Sequence, residues 1–145
     1  MNWKAEAMEK LRRYDAMRHA LRNIPEEMAR LELDAKRIRS ARADTPPVQG
    51  GGNRREEQLL DNLVHRQELQ WLLQQARSWV NMTERALSTL SPEEKLILHR
   101  MFILPERGSL ERLCQELGVE QASIYRRRDR ALHRFTLALY GAEES

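Results

Sequence analysis

Apolar residues return every seven positions from Trp3 to Ile38, and no other feature of the chain constrains its fold as much. One seam position carries Trp3, Lys10, Met17, Ile24, Leu31 and Ile38, and the other carries Ala7, Tyr14, Leu21, Met28 and Ala35. Ten of these eleven positions are apolar, where a chain that is 41% hydrophobic would fill about four or five by chance. A repeat of seven keeps one stripe of a helix turned toward a neighbouring helix along its whole length. Pro25 removes a helical hydrogen bond and crowds the turn before it. The seam holds its phase on both sides of Pro25, which predicts a kink rather than a reversal, with Asn23 and Glu26 placed to recap the helix there. Residues 1–39 therefore read as one coiled-coil-like helix. Trp3, Tyr14, Met17, Leu21, Ile24, Met28, Leu31 and Ile38 are its candidate oligomerisation contacts.

The pattern stops over residues 40–55. Pro46-Pro47 and Gly50-Gly51-Gly52-Asn53 remove helical preference, so the stretch reads as a flexible linker or as a loop that orders only against a partner. Helical periodicity resumes over 56–90. Leu59, Leu63, Leu69, Leu73, Ala76, Val80, Leu87 and Leu90 form an apolar face, and Leu60, Val64, Trp71, Leu72 and Trp79 widen it. A stripe that wide suits burial against more than one neighbour. Either the first helix folds back on this one, or both helices enter a dimeric bundle.

Several function classes fall away. A single cysteine, Cys114, excludes an internal disulfide and any multi-cysteine zinc site. His19, His65, His99 and His133 belong to no paired ligand motif, and no metal or cofactor is expected. The triple glycine follows no strand and is no phosphate cradle. With no set of base, nucleophile and metal ligands in view, the chain does not read as an enzyme. Met1 to Lys10 lacks the apolar run of a secretory signal, and no stretch approaches the ~20 apolar residues that span a bilayer. A cytoplasmic protein is the expectation.

The C-terminal third, residues 91–141, has a different grammar. Ser91-Pro92-Glu93-Glu94 starts a helix, with serine as cap, proline in the first turn and acids at the positive helix end. Leu96, Ile97, Met101, Phe102 and Leu104 give that helix its apolar face, and Pro105 ends it. Ser109 is placed to cap a short helix over 110–117 that stops at Gly118, and a last helix runs from about Gln121 to Tyr140 and closes at Gly141. Two helices joined by a three-residue, glycine-containing turn form a helix-turn-helix pattern. Leu113, Leu117, Val119 and Ile124 fall where its core needs apolar residues, with Cys114 as a small packing residue beside the turn. Between Gln121 and Arg134 stand five arginines, at 126, 127, 128, 130 and 134, against one acid, Asp129. The chain carries a net charge of only +3, so its basic character is concentrated in this helix. A basic second helix in such a unit suits docking against the phosphates and guanine edges of duplex DNA.

The run from Leu90-Ser91-Pro92-Glu93-Glu94 through Ser109 to Val119 and on to Arg130-Ala131-Leu132-His133-Arg134-Phe135 resembles region 4 of bacterial sigma factors. Together with Pro47 to Gly51 and Tyr140 to Ser145, the whole chain is similar to small phage and prophage regulators of the ArpU/RinA type. The resemblance implies an all-α protein with long N-terminal helices and a sigma region 4-like helix-turn-helix domain. It implies promoter or operator double-stranded DNA and RNA polymerase as partners, in a homodimer or higher oligomer. Carried over residue by residue, it places Gln121, Tyr125 and Arg126 at base edges and Ala122 at a thymine methyl. Ser109, Ser123, Arg127, Arg128 and Arg130 become phosphate contacts. Arg127 stands where sigma factors carry an apolar residue, and Glu120 replaces their usual serine or threonine cap. A phage DNA-packaging protein of the small terminase kind and a sigma-mimicking interaction module remain the alternative readings.

Overall fold

The computed structural model describes residues 1–44 and 51–142. The fold is all-α. Its helices are α1 (Trp3–Asp44), α2 (Gly51–Ser88), α3 (Pro92–Leu98), α4 (Ser109–Leu117) and α5 (Gln121–Tyr140), with a π-helical turn at His99–Ile103 following α3. Among the described residues, no helix is long and apolar enough to cross a membrane.

Both long helices extend beyond their apolar periodicity. α1 continues to Asp44 and α2 begins at Gly51, so the linker expected over 40–55 is helical at both ends. Ser40 to Asp44 contains no glycine or proline, and alanine and arginine are strong helix formers. Gly51 and Gly52 fall in the first turn of α2, where the glycine penalty of a helix interior is not fully felt. The centre of the expected linker, including Pro46 and Pro47, lies outside the described residues. α1 runs unbroken through Pro25, and the chain does not reverse there.

The chain divides into two compact units. Residues 19–77 form a helical arm in which the later part of α1 lies along the earlier part of α2. Leu31, Ala35, Leu73 and Ala76 are its buried apolar residues. Asn62 is buried too, and its side-chain amide is satisfied on both sides. Its Nδ2 donates to the Leu31 carbonyl at 2.8 Å and its Oδ1 accepts from Arg66 Nε at 2.8 Å. A polar group taken from water without such partners would oppose the packing.

Residues 1–18 and 78–145 form the second unit. The domain boundary expected at residue 91 is therefore displaced, because the first turns of α1 and the end of α2 share the core of the C-terminal helices. Ala7, Leu11, Ala86 and Leu90 pack with Leu98, Phe102, Ile103, Ala131, Leu132 and Phe135. Trp3 lies on Tyr140 with ring centroids 4.8 Å apart. Trp79 Nε1 donates to the Lys10 carbonyl at 3.0 Å, and Lys10 Nζ stands 3.7 Å above the Trp79 ring. Burial holds the Lys10 amine below its usual pKa.

All eleven seam positions of α1 turn inward: Ala7, Leu31 and Ala35 are buried and the other eight are half-buried. Several of the candidate oligomerisation residues are engaged within the chain. Trp3 stacks on Tyr140, Tyr14 Oη donates to Glu84 Oε1 at 2.6 Å, and the Leu31 carbonyl accepts from Asn62.

Ser91 forms the expected capping box. Its Oγ accepts from the Glu94 N–H at 3.2 Å while Glu94 Oε1 accepts from the Ser91 N–H at 3.0 Å. The helix it starts differs from expectation further on. The π-helical turn places an extra residue in the helical circuit and shifts the apolar phase. Ile103 is thereby buried alongside Ile97, Leu98 and Phe102, and Leu104, expected on the inner face, is 43% exposed.

Candidate nucleic-acid interface

α4 and α5 meet through a turn whose geometry only a glycine adopts without strain. Gly118 has φ 65° and ψ 37°, in the left-handed region, and its N–H donates to the Cys114 carbonyl. The Val119 N–H donates to the same carbonyl at 3.1 Å. Glu120 then caps α5 through its backbone alone, its carbonyl accepting from the Ser123 and Ile124 N–H groups. Inside the angle, Ile97, Leu113 and Ile124 are each 1% exposed or less, with Leu110, Cys114, Leu117 and Val119 packed around them. Leu113, Leu117, Val119 and Ile124, the apolar set expected at this turn, pack here with Cys114. α5 also packs on α3, and Gly141 ends it with φ 70°.

With Ile124, Ala131 and Phe135 fully buried, the opposite face of α5 is fixed. Gln121, Ala122, Tyr125, Arg126, Asp129 and Arg130 are all exposed on it. The five arginines do not stand alike. Arg127, half-buried, pairs with Glu93, and Arg134 pairs with Glu94 at 2.7 Å. Arg128 bonds Asp129 at 2.9 Å and lies over the Tyr125 ring at 4.9 Å. Arg126 and Arg130 are exposed, and no hydrogen bond or ion pair engages either among the described residues. They are the guanidinium groups available without breaking an existing contact.

Glu93 and Glu94, read from sequence only as acids at a helix start, are the partners that reasoning on sequence missed. Arg127, Arg130 and Arg134 line a cleft of ≈ 500 Å³ together with these two carboxylates. Burial works against the charged form of Glu94, but bonds from the Ser91 backbone and hydroxyl and the nearby Arg134 outweigh it. Its carboxyl titrates below the ordinary range. A pairing between residues 40 positions apart leaves no local signature.

Two assigned residues are placed otherwise than expected. Gly108, with φ 85°, is the residue before α4, and Ser109 is its first helical residue rather than its cap. Ser109 is 7% exposed, and its Oγ accepts from the Glu106 N–H at 3.0 Å. Ser123 is half-buried. The outward group thus comprises Gln121, Ala122, Tyr125, Arg126 and Arg130, while Ser109, Ser123, Arg127 and Arg128 are engaged or partly covered. Arg100 in the π-helical turn reaches Glu116 of α4 at 3.0 Å, bracing the first helix of the unit.

No group of three or more His, Cys, Asp or Glu residues among the described residues is arranged to hold a metal ion. Comparison with protein-family models, curated proteins and solved structures finds no match to this chain.

Proposed function

We propose that the chain is a DNA-binding transcriptional regulator of phage type that seats the first turns of α5 in the major groove. The observation that carries this reading is the pair of unengaged guanidinium groups, Arg126 and Arg130, on the outward face of the second helix of a helix-turn-helix. Gln121, Tyr125 and Arg126, near the N-terminal end of α5, read base edges, and Ala122 meets a thymine methyl. Arg130 neutralises a phosphate, and Arg127, Arg128 and Arg134 join only as their acidic partners yield them. The likeness to sigma region 4 extends the proposal to promoter or operator DNA and to contact with RNA polymerase.

Selection of bound sequences from a random double-stranded DNA library, at two salt concentrations, tests it. An enriched motif whose affinity falls steeply with salt is expected. Arg126→Ala weakens binding to the selected site by about 1–3 kcal/mol while leaving helicity unchanged. A library without enrichment, or an unaltered affinity in the variant, overturns the assignment.

A further inference from the structure

α2 carries a second, outward seam within the arm. Leu60, Val64, Gln67, Trp71 and Gln74 follow one another at alternating intervals of four and three residues, so they lie in one line along the helix. The buried residues of the arm, Leu73 and Ala76 among them, occupy the opposite side of α2. Leu60 is 58% exposed, Val64 42% and Trp71 59%, with Leu63 exposed on the adjoining flank. No charged residue stands in the line, in a chain that is 32% charged. The solvent face of an ordinary surface helix is where charges collect.

We propose that this seam is where a second copy of the chain docks, α2 against α2, so that two arms close into a four-helix bundle. Three observations favour that occupant. The arm's own core is thin, and a helical hairpin with two apolar sides is completed by another layer of helices. Gln67 and Gln74 carry donor and acceptor in one side chain, so each layer is complementary to the same seam on an identical helix. The area also suffices: Leu60, Leu63, Val64 and Trp71 expose about 400 Å² per chain, a patch of the size that marks interaction sites. With the glutamines included, two copies bury on the order of 1,200 Å², the lower bound of a stable interface. Other occupants fit less well. A highly charged partner finds no charge in the line to pair with, and an anionic lipid surface meets Asp61 and Glu68 beside it.

Sedimentation velocity on the full chain over a range of concentrations tests the proposal. The measurement contains no DNA, so it stands or falls separately from the DNA-binding reading. The expected species has twice the 17.1 kDa mass of one chain. Val64→Glu with Trp71→Glu returns it to a single chain without loss of far-UV helicity, whereas Leu33→Glu, on the exposed surface of α1, leaves the dimer intact. Gln67→Leu adds an apolar layer to the same seam and tightens the dimer at least tenfold. A wild-type chain that stays monomeric, a glutamate variant that still dimerises, or an unchanged dissociation constant in Gln67→Leu overturns it.

Discussion

The arm of residues 19–77 and the unit formed by 1–18 and 78–145 are built from the same kinds of residue, yet they bury them very differently. Leu11, Ile97, Leu98, Leu113, Ile124, Leu132 and Phe135, the large apolar side chains removed almost completely from solvent, all belong to the second unit. The arm contributes none of these, and it exposes Leu33, Leu60, Leu63, Val64, Trp71 and Leu72. One unit has the enclosed core of an independent domain, and a rigid scaffold is what holds recognition side chains in register. The other leaves an apolar face exposed. Under the two proposals above, a chain so divided separates recognition from assembly.

Truncation should expose the difference most sharply. Phe135→Ala, at a fully buried position, is expected to cost about 3–5 kcal/mol in urea unfolding, whereas Leu60→Ala shifts the stability of a dilute sample by less than about 0.5 kcal/mol. Equal losses would erase the contrast. Next in size is the capping box. Ser91→Ala should cost about 1 kcal/mol in the same measurement. Because Glu94 titrates lower in the fold than in the unfolded chain, the stability it adds is present above the ordinary carboxylate range. It fades as the pH falls through that range, and Glu94→Gln should flatten this acid limb.

Gly118→Ala tests the turn. A Cβ there meets no neighbouring atom within 4 Å, so the cost comes from the left-handed backbone alone and should be about 1 kcal/mol. The smallest effect lies at alkaline pH. Burial and the bond to Glu84 push the Tyr14 phenol up to about 12. The neutral phenol is favoured in the fold, so its contribution is whole below pH ~10 and is lost as the pH rises toward 12. Tyr14→Phe should remove that dependence, seen as a flatter melting temperature against pH over this interval.

Much of this arrangement was legible in the residues themselves, wherever the signal was local. The α1 seam turned inward at every position because a repeat of seven fixes one face of a helix whatever covers it. Ser91-Pro92-Glu93-Glu94, Gly118 and Gly141 announced helix ends because caps and left-handed glycines act within a few residues. The helical reach of Ser40 to Asp44 was hidden by the prolines just beyond it. The π-helical turn was hidden because a phase shift of one residue still leaves a plausible apolar face, with Leu104 exchanged for Ile103. Within the candidate interface, the outward set of Gln121, Ala122, Tyr125 and Arg126 followed from Ile124 and Phe135 pointing in. The sorting of the arginines did not, since it depends on Glu93 and Glu94 arriving from α3. Nor did the closure of the C-terminal core by Ala7 and Leu11, which only the tertiary fold brings together.

The central claim, that the outward face of α5 engages DNA through its unpaired guanidinium groups, is tested most directly by the salt dependence of binding to a selected duplex. Wild type, Arg130→Ala and Arg127→Ala should be titrated side by side. Arg130→Ala is expected to lower the slope of log affinity against log salt by about one. Arg127→Ala, whose guanidinium is already paired with Glu93, should change it less. A wild-type affinity that does not fall with salt, or two variants with the same reduced slope, would contradict it.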